Sequence, residues 1–142
     1  MSIGIDHVSL TVTDRERSVE FYTTAFGFEV ERIFESNSVL TKHITEFPRA
    51  DLKVGLVRMD SLTVELIEYR EPRGAASQTL VLNDVGSSHL AFVTDDIQRD
   101  YERLRAMGVP FKTDPGYNPE TGVHAVYGYD PDGITFELVQ RD

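Results

Sequence analysis

Asp6-His7-Val8-Ser9-Leu10-Thr11-Val12-Thr13-Asp14 and Ser88-His89-Leu90-Ala91-Phe92-Val93-Thr94-Asp95-Asp96 follow one pattern. Each alternates apolar and polar residues, the period of a strand buried on one face. Each ends on an aspartate suited to cap a helix N-terminus. His7 maps onto His89 and Asp14 onto Asp96, both with an offset of 82 residues. A helical stretch follows in both copies: Val19, Tyr22 and Phe26 share a face up to Gly27, and Ile97, Tyr101, Leu104 and Met107 do so up to Gly108. Glycine just past the last periodic residue is a common helix stop, because it enters the left-handed region without a Cβ clash. Strand character resumes at Phe28-Glu29-Val30 and at Val109-Pro110-Phe111.

The two copies also end alike. Leu62-Thr63-Val64-Glu65-Leu66-Ile67 corresponds to Ile134-Thr135-Phe136-Glu137-Leu138-Val139, with Thr-x-Glu-Leu in common. An apolar run precedes each, Leu52 to Met59 in the first copy and Val123 to Tyr129 in the second, the latter followed by the turn Asp130-Pro131-Asp132-Gly133. Each copy therefore reads β-α-β-β-β, and paired starts with paired ends mark an internal duplication. Module 1 spans about residues 3–69 and module 2 about 87–140, joined by a linker at about 70–86 that contains Pro72, Gly74, Asn83 and Gly86. A connection of that length in a small domain is often a lid or a pocket wall. Residues 36–50 form a second long connection, with a short helix expected around Val39 to Glu46.

Strand parity assigns the faces. Val8, Leu10 and Val12 take the side that packs under the helix, leaving His7, Ser9 and Thr11 opposite. By the same alternation His89 and Ala91, Thr63, Glu65 and Ile67, and Thr135, Glu137 and Val139 all point away from the helices. A glutamate within an apolar strand is costly to bury unless it is paired or bound to a cation. Two of them at equivalent positions, each with a histidine, have one common explanation: His7, Glu65, His89 and Glu137 are ligands of a divalent metal. Imidazole nitrogen and carboxylate oxygen without sulfur suit Ni²⁺, Co²⁺, Fe²⁺, Mn²⁺ or Zn²⁺. Four protein ligands on a six-coordinate ion leave two positions for substrate, the open arrangement of a catalytic site. The expectation is an α+β fold in which two tandem βαβββ modules form a curved mixed sheet around a metal cavity, a single domain over residues 1–142. His43 is expected to be exposed in the long connection, and His124 is a lesser candidate to line the cavity.

Composition narrows the partners. The net charge of −10 argues against nucleic acid, which requires a basic surface, and against an anionic membrane. A small anionic ligand is compatible if it meets a local basic patch. Nine of the fourteen Lys/Arg lie in residues 1–75, an asymmetry read as solvated surface. The absence of cysteine excludes disulfides, thiolate ligands and a cysteine nucleophile. No apolar stretch approaches the roughly 20 residues that span a membrane, and a cytoplasmic location is expected.

With these motifs in place, the chain resembles the vicinal oxygen chelate superfamily, which includes glyoxalase I, methylmalonyl-CoA epimerase, extradiol dioxygenases, fosfomycin-resistance enzymes and bleomycin-binding proteins. The resemblance covers about residues 3–140. It rests on Asp6-His7-Val8-Ser9-Leu10 running into Ser18-Val19-Glu20-Phe21-Tyr22, on Val64-Glu65-Leu66, on Ser88-His89-Leu90-Ala91-Phe92, and on Asp130-Pro131-Asp132-Gly133-Ile134-Thr135-Phe136-Glu137-Leu138. It implies metal ligands on the first and last strands of each module, which are the same four residues. It also implies proton abstraction α to a carbonyl or thioester, with Glu137 as the base, Glu65 as its symmetric partner, and Glu46 as the candidate second acid of an epimerase. Extradiol dioxygenases hold iron on two histidines and one carboxylate, so Glu65 weighs against that alternative. Antibiotic-binding relatives lack the set, which weighs against a non-catalytic binder. The glutathione-anchoring arginines of glyoxalase I are not evident, and Ser88 stands where the epimerases carry the first of two adjacent histidines. A homodimer acting on a small molecule is expected.

Overall fold

The computed structural model describes residues 2–75 and 81–142; residues 76–80 of the expected linker lie outside the described residues. The chain divides into two compact units, Met1–Ala76 and Ser77–Asp142. Each is a βαβββ module with a four-stranded mixed sheet, and together they make an α+β fold.

In the first unit β1 (Val8–Thr11) leads into α1 (Arg15–Phe26), β2 (Glu29–Ser36), the short α2 (Val39–Thr45), β3 (Asp51–Met59) and β4 (Leu62–Glu71). The sheet order is β1-β4-β3-β2, with β1 parallel to β4 and the other pairs antiparallel. Asp14 caps α1 by accepting from the Arg17 backbone N–H at 2.9 Å, and Gly27 ends it at φ 80°. The buried stripe of α1 is Arg15, Ser18, Tyr22 and Ala25, spaced three and four residues apart as one helix face requires. Val19 and Phe26, expected on that face, flank it. Tyr22 packs edge-on to Phe28, above the fully buried Val57, Val64 and Leu66. Ser38 caps α2, and the helix closes at Glu46 in the left-handed conformation (φ 57°).

The second unit repeats the plan with β5 (Leu90–Val93), α3 (Ile97–Ala106), β6 (Gly116–Asn118), β7 (Val123–Tyr129) and β8 (Thr135–Arg141), in the order β5-β8-β7-β6. Asp96 caps α3 through the Arg99 N–H at 2.9 Å, and Ile97, Tyr101 and Leu104 are its buried face. Met107, expected on the same face, sits at the frayed end and is 46% exposed. The strand expected at Val109-Pro110-Phe111 is reduced to one bridge, Phe111 to Gly128, and the paired strand β6 comes later. Pro110 explains the interruption, since it has no N–H to contribute to a ladder.

Gly128 is required by space. A Cβ there would lie 2.4 Å from the Phe136 ring, and that ring is boxed in by Phe92 and Phe111. Gly128→Ala is expected to destabilise the protein by about 1–3 kcal/mol, the usual result of overpacking a filled core. Urea denaturation of both proteins measures it, and an unchanged midpoint would contradict the crowding described.

Candidate functional site

In the first unit the parallel register sets Val8 opposite Val64, Ser9 opposite Glu65 and Leu10 opposite Leu66. Val64 and Leu66 are fully buried toward α1, so Glu65 emerges on the open face. His7 precedes β1 with the parity of Ser9 and reaches the same face. Its Nε2 lies 3.4 Å from Glu65 Oε1, with side chains 38% and 20% exposed. Asp6 Oδ2 is 2.7 Å from His7 Nδ1. A carboxylate on Nδ1 favours the tautomer protonated there, the one in which Nε2 is able to ligate a metal. The hydrogen bond to Asp6 raises the His7 pKa above its ordinary 6.5; desolvation opposes the shift, and the charge of Glu65 adds to it.

The second unit builds the same pair. Leu90 faces Phe136 and Ala91 faces Glu137, and His89 Nε2 stands 3.1 Å from Glu137 Oε2. Tyr127 lies opposite Glu137 on β7, and its ring meets His89 edge-on at 5.2 Å. Each unit thus brings a half-exposed nitrogen donor and an oxygen donor together on the sheet face away from its helix. Such a pair can share a proton or turn both donors toward one cation.

The other sequence candidates are placed elsewhere. His43 is exposed on α2. His124 shares parity with the buried Val126, so it lies on the face opposite Tyr127 and Glu137, where it stacks on Tyr117 at 4.3 Å with Nε2 3.5 Å from Asp142. Glu46 is exposed just past α2. Two residues at the site escaped the sequence reading although their signals were present. Asp6 is the neighbour of His7, and Tyr127 occupies the odd register of a strand whose even members are buried.

A second carboxylate cluster proves to be structural. Oxygens of Asp14, Glu16 and Glu68 gather within 4.8 Å of one another. The chain supplies its own cation there: Lys53 Nζ is 2.5 Å from Glu16 and 3.2 Å from the buried Glu68, which also accepts from the Arg15 N–H at 2.9 Å. Arg15 and Lys53, read from sequence as solvated, are instead part of the packing under α1. The hydrogen bond from Lys53, opposed by desolvation and reinforced by Arg15, lowers the Glu16 pKa to about 2. In the second unit a cavity of about 450 Å³ opens beside Tyr129 and Thr135, walled in part by Val81 and Leu82 of the linker.

The chain belongs to the Glyoxalase/Bleomycin resistance protein/Dioxygenase superfamily, whose family model matches residues 4–138. Lactoylglutathione lyase GLX1 of Arabidopsis thaliana is 31% identical over 135 residues, covering 95% of this chain and 43% of that protein, so the chain spans under half of its length. A 2-epi-5-epi-valiolone epimerase of an Actinomyces species is 30% identical over 146 residues, covering 97% of this chain and 79% of the epimerase. The crystal structure of a glyoxalase family protein from Bacillus cereus superposes with a TM-score of 0.88 over 99% of this chain and 95% of that one; at 18% identity it shows a shared fold.

Two titrations test these environments. In metal-free protein, NMR should find His7 titrating above 6.5, and Asp6→Asn should bring it down; no change in Asp6→Asn would disprove the assigned cause. Because Glu16 has a lowered folded pKa, its contribution to stability is complete above the unfolded value of about 4.5. It is lost as pH falls from there toward about 2. Glu16→Gln should therefore flatten the acid limb of the stability curve in that window, while costing under about 1 kcal/mol at neutral pH because the side chain is largely exposed.

Proposed function

We propose that this protein is a divalent-metal-dependent lyase or isomerase that removes a proton α to a carbonyl or thioester of a small substrate, with His7, Glu65, His89 and Glu137 as the metal ligands. The observation that carries the reading is the His–Glu pair built twice, at 3.4 and 3.1 Å, on the helix-free face of each sheet. The donor chemistry fits a borderline or hard divalent ion, and a carboxylate on Nδ1, as Asp6 supplies, favours the tautomer whose Nε2 can ligate. The lactoylglutathione lyase and the epimerase among the relatives support the lyase and isomerase classes.

When bound, a divalent cation such as Ni, Co, Fe, Mn or Zn supplies Lewis-acid polarisation of the substrate carbonyl and holds the negative charge that builds on it. Glu137 is the base that takes the α-proton, since a carboxylate that loosens from its partners is free to accept one. His89 orients it through the 3.1 Å contact, and the Tyr127 ring fixes the imidazole plane. Glu65 is the matched carboxylate for the second proton step. The reading takes residues 1–142 as one domain, working as a homodimer in the cytoplasm.

Metal content of protein purified without chelator, with turnover of hemithioacetals and acyl-CoA epimers, tests the proposal. Glu137→Ala and Glu65→Ala are each expected to lower metal affinity by at least about tenfold and turnover by about 10² or more. Protein that takes up no metal, and turns over neither substrate class with any added divalent ion, would overturn it.

A further inference from the structure

Phe111 bridges Gly128 and turns its ring to the helix side, 4.8 Å from Tyr101 and 5.7 Å from Phe136. Its neighbours Pro110 and Lys112 therefore leave the backbone on the opposite face. Two hydrogen bonds fix the alignment: Lys112 N–H donates to Tyr127 O, and Tyr129 N–H donates to Pro110 O, both at 3.0 Å. Tyr127 is in turn the register partner of Glu137. Lys112, Tyr127 and Glu137 form one row across three adjacent chain segments. At about 4.8 Å between strands, the backbones of Lys112 and Glu137 stand roughly 10 Å apart.

The next row on that face, Tyr129 opposite Thr135, lines the cavity of about 450 Å³, and Lys112 lies on its wall. Val81, Leu82, Pro110 and Pro131 make most of the rest apolar. That volume suits a small organic ligand, and a charged group on a largely apolar wall selects among them. The arginines of α3, across the sheet, are committed: Arg99 pairs with Asp95 and Asp100, Arg103 with Asp100, and Arg105 lies over the Tyr101 ring. Asp130, which also lines the cavity, is buried and uses its Oδ1 to accept from the Asp132 and Ile134 N–H groups. Among the described residues Lys112 has no acidic partner, in a chain whose net charge is −10.

We propose that Lys112 binds the anionic end of the substrate, so that the substrate is a small carbonyl compound with a carboxylate or phosphate several bonds from the reacting carbon. The proposal rests on the reading of Glu137 as the proton-transfer carboxylate. Lys112 is a specificity residue that binds one end of the molecule while Glu137 works on the other. A positive group at this point of an acidic surface also draws an anion to a site that it would otherwise avoid.

The test is an NMR titration of metal-free and Zn²⁺-loaded protein with 5-oxohexanoate, its methyl ester and 4-oxopentyl phosphate. Wild-type protein should bind the acid or the phosphate at least about fivefold more tightly than the ester, as expected for an ion pair of about 1 kcal/mol. The tighter of the two anions identifies the natural tail. Lys112→Gln should bring the anions to the level of the ester without changing the ester, while Lys112→Arg keeps most of the preference. Equal affinity of wild type for anion and ester, no binding of any of the three, or a Lys112→Gln loss shared by the ester would each overturn the proposal. If the charge preference is present but the protein takes up no metal, the metal reading falls and the anion site stands. If metal binding depends on Glu137 but anion and ester bind alike, the anion site falls alone.

Discussion

In each unit the first strand pairs in parallel with the last, and only one register of that pairing is tolerable. Val8 and Leu10 pair with Val64 and Leu66, as Leu90 and Phe92 pair with Phe136 and Leu138, and the β4 and β8 members of these pairs are buried. A slip of one residue would turn Glu65 or Glu137 into the helix-facing core and expose its apolar neighbours. A carboxylate there would lose its hydration with nothing prepared to replace it. The apolar side of the sheet thus enforces the polar side: the packing of the core residues is what brings His7 to Glu65 and His89 to Glu137.

Glu65 and Glu68 belong to one strand and serve opposite ends. Three residues apart, they face opposite sides of the sheet. Glu68 goes under α1, where its charge is balanced by Lys53 and by the Arg15 amide. Among the described residues Glu65 meets an imidazole, and it stays partly accessible. A permanent cation of the chain has reached the one carboxylate, and a titratable imidazole the other.

Much of this was legible in the sequence, for identifiable reasons. The duplication fixed the element order because the strand-to-helix aspartates, helix-ending glycines and Thr-x-Glu-Leu ends recur at matched places. Parity alone put the four ligand candidates on the helix-free faces. What local patterns could not show was long-range pairing. Arg15 looked like surface because its partners, Glu68 and the Phe34 carbonyl, lie far along the chain. His124 could be placed only once β7 was aligned with β8, and Met107 continued a helical period past the point where the helix ends. The strand at Pro110 was read one segment too early, since its hydrophobic neighbours carry the strand signal that its missing N–H cannot satisfy.

The duplication is not a perfect copy, and the histidines show where it has drifted. Asp6 stands before His7 and adds a carboxylate to its far nitrogen; Ser88 stands before His89, which instead has an aromatic ring for a neighbour. One half therefore surrounds its imidazole with two negative groups and the other with one. Two copies that began as equals now differ in the electrostatic surroundings of their imidazoles. A proton or a cation arriving at the two faces therefore meets unequal charge, and a single residue ahead of each strand sets that inequality.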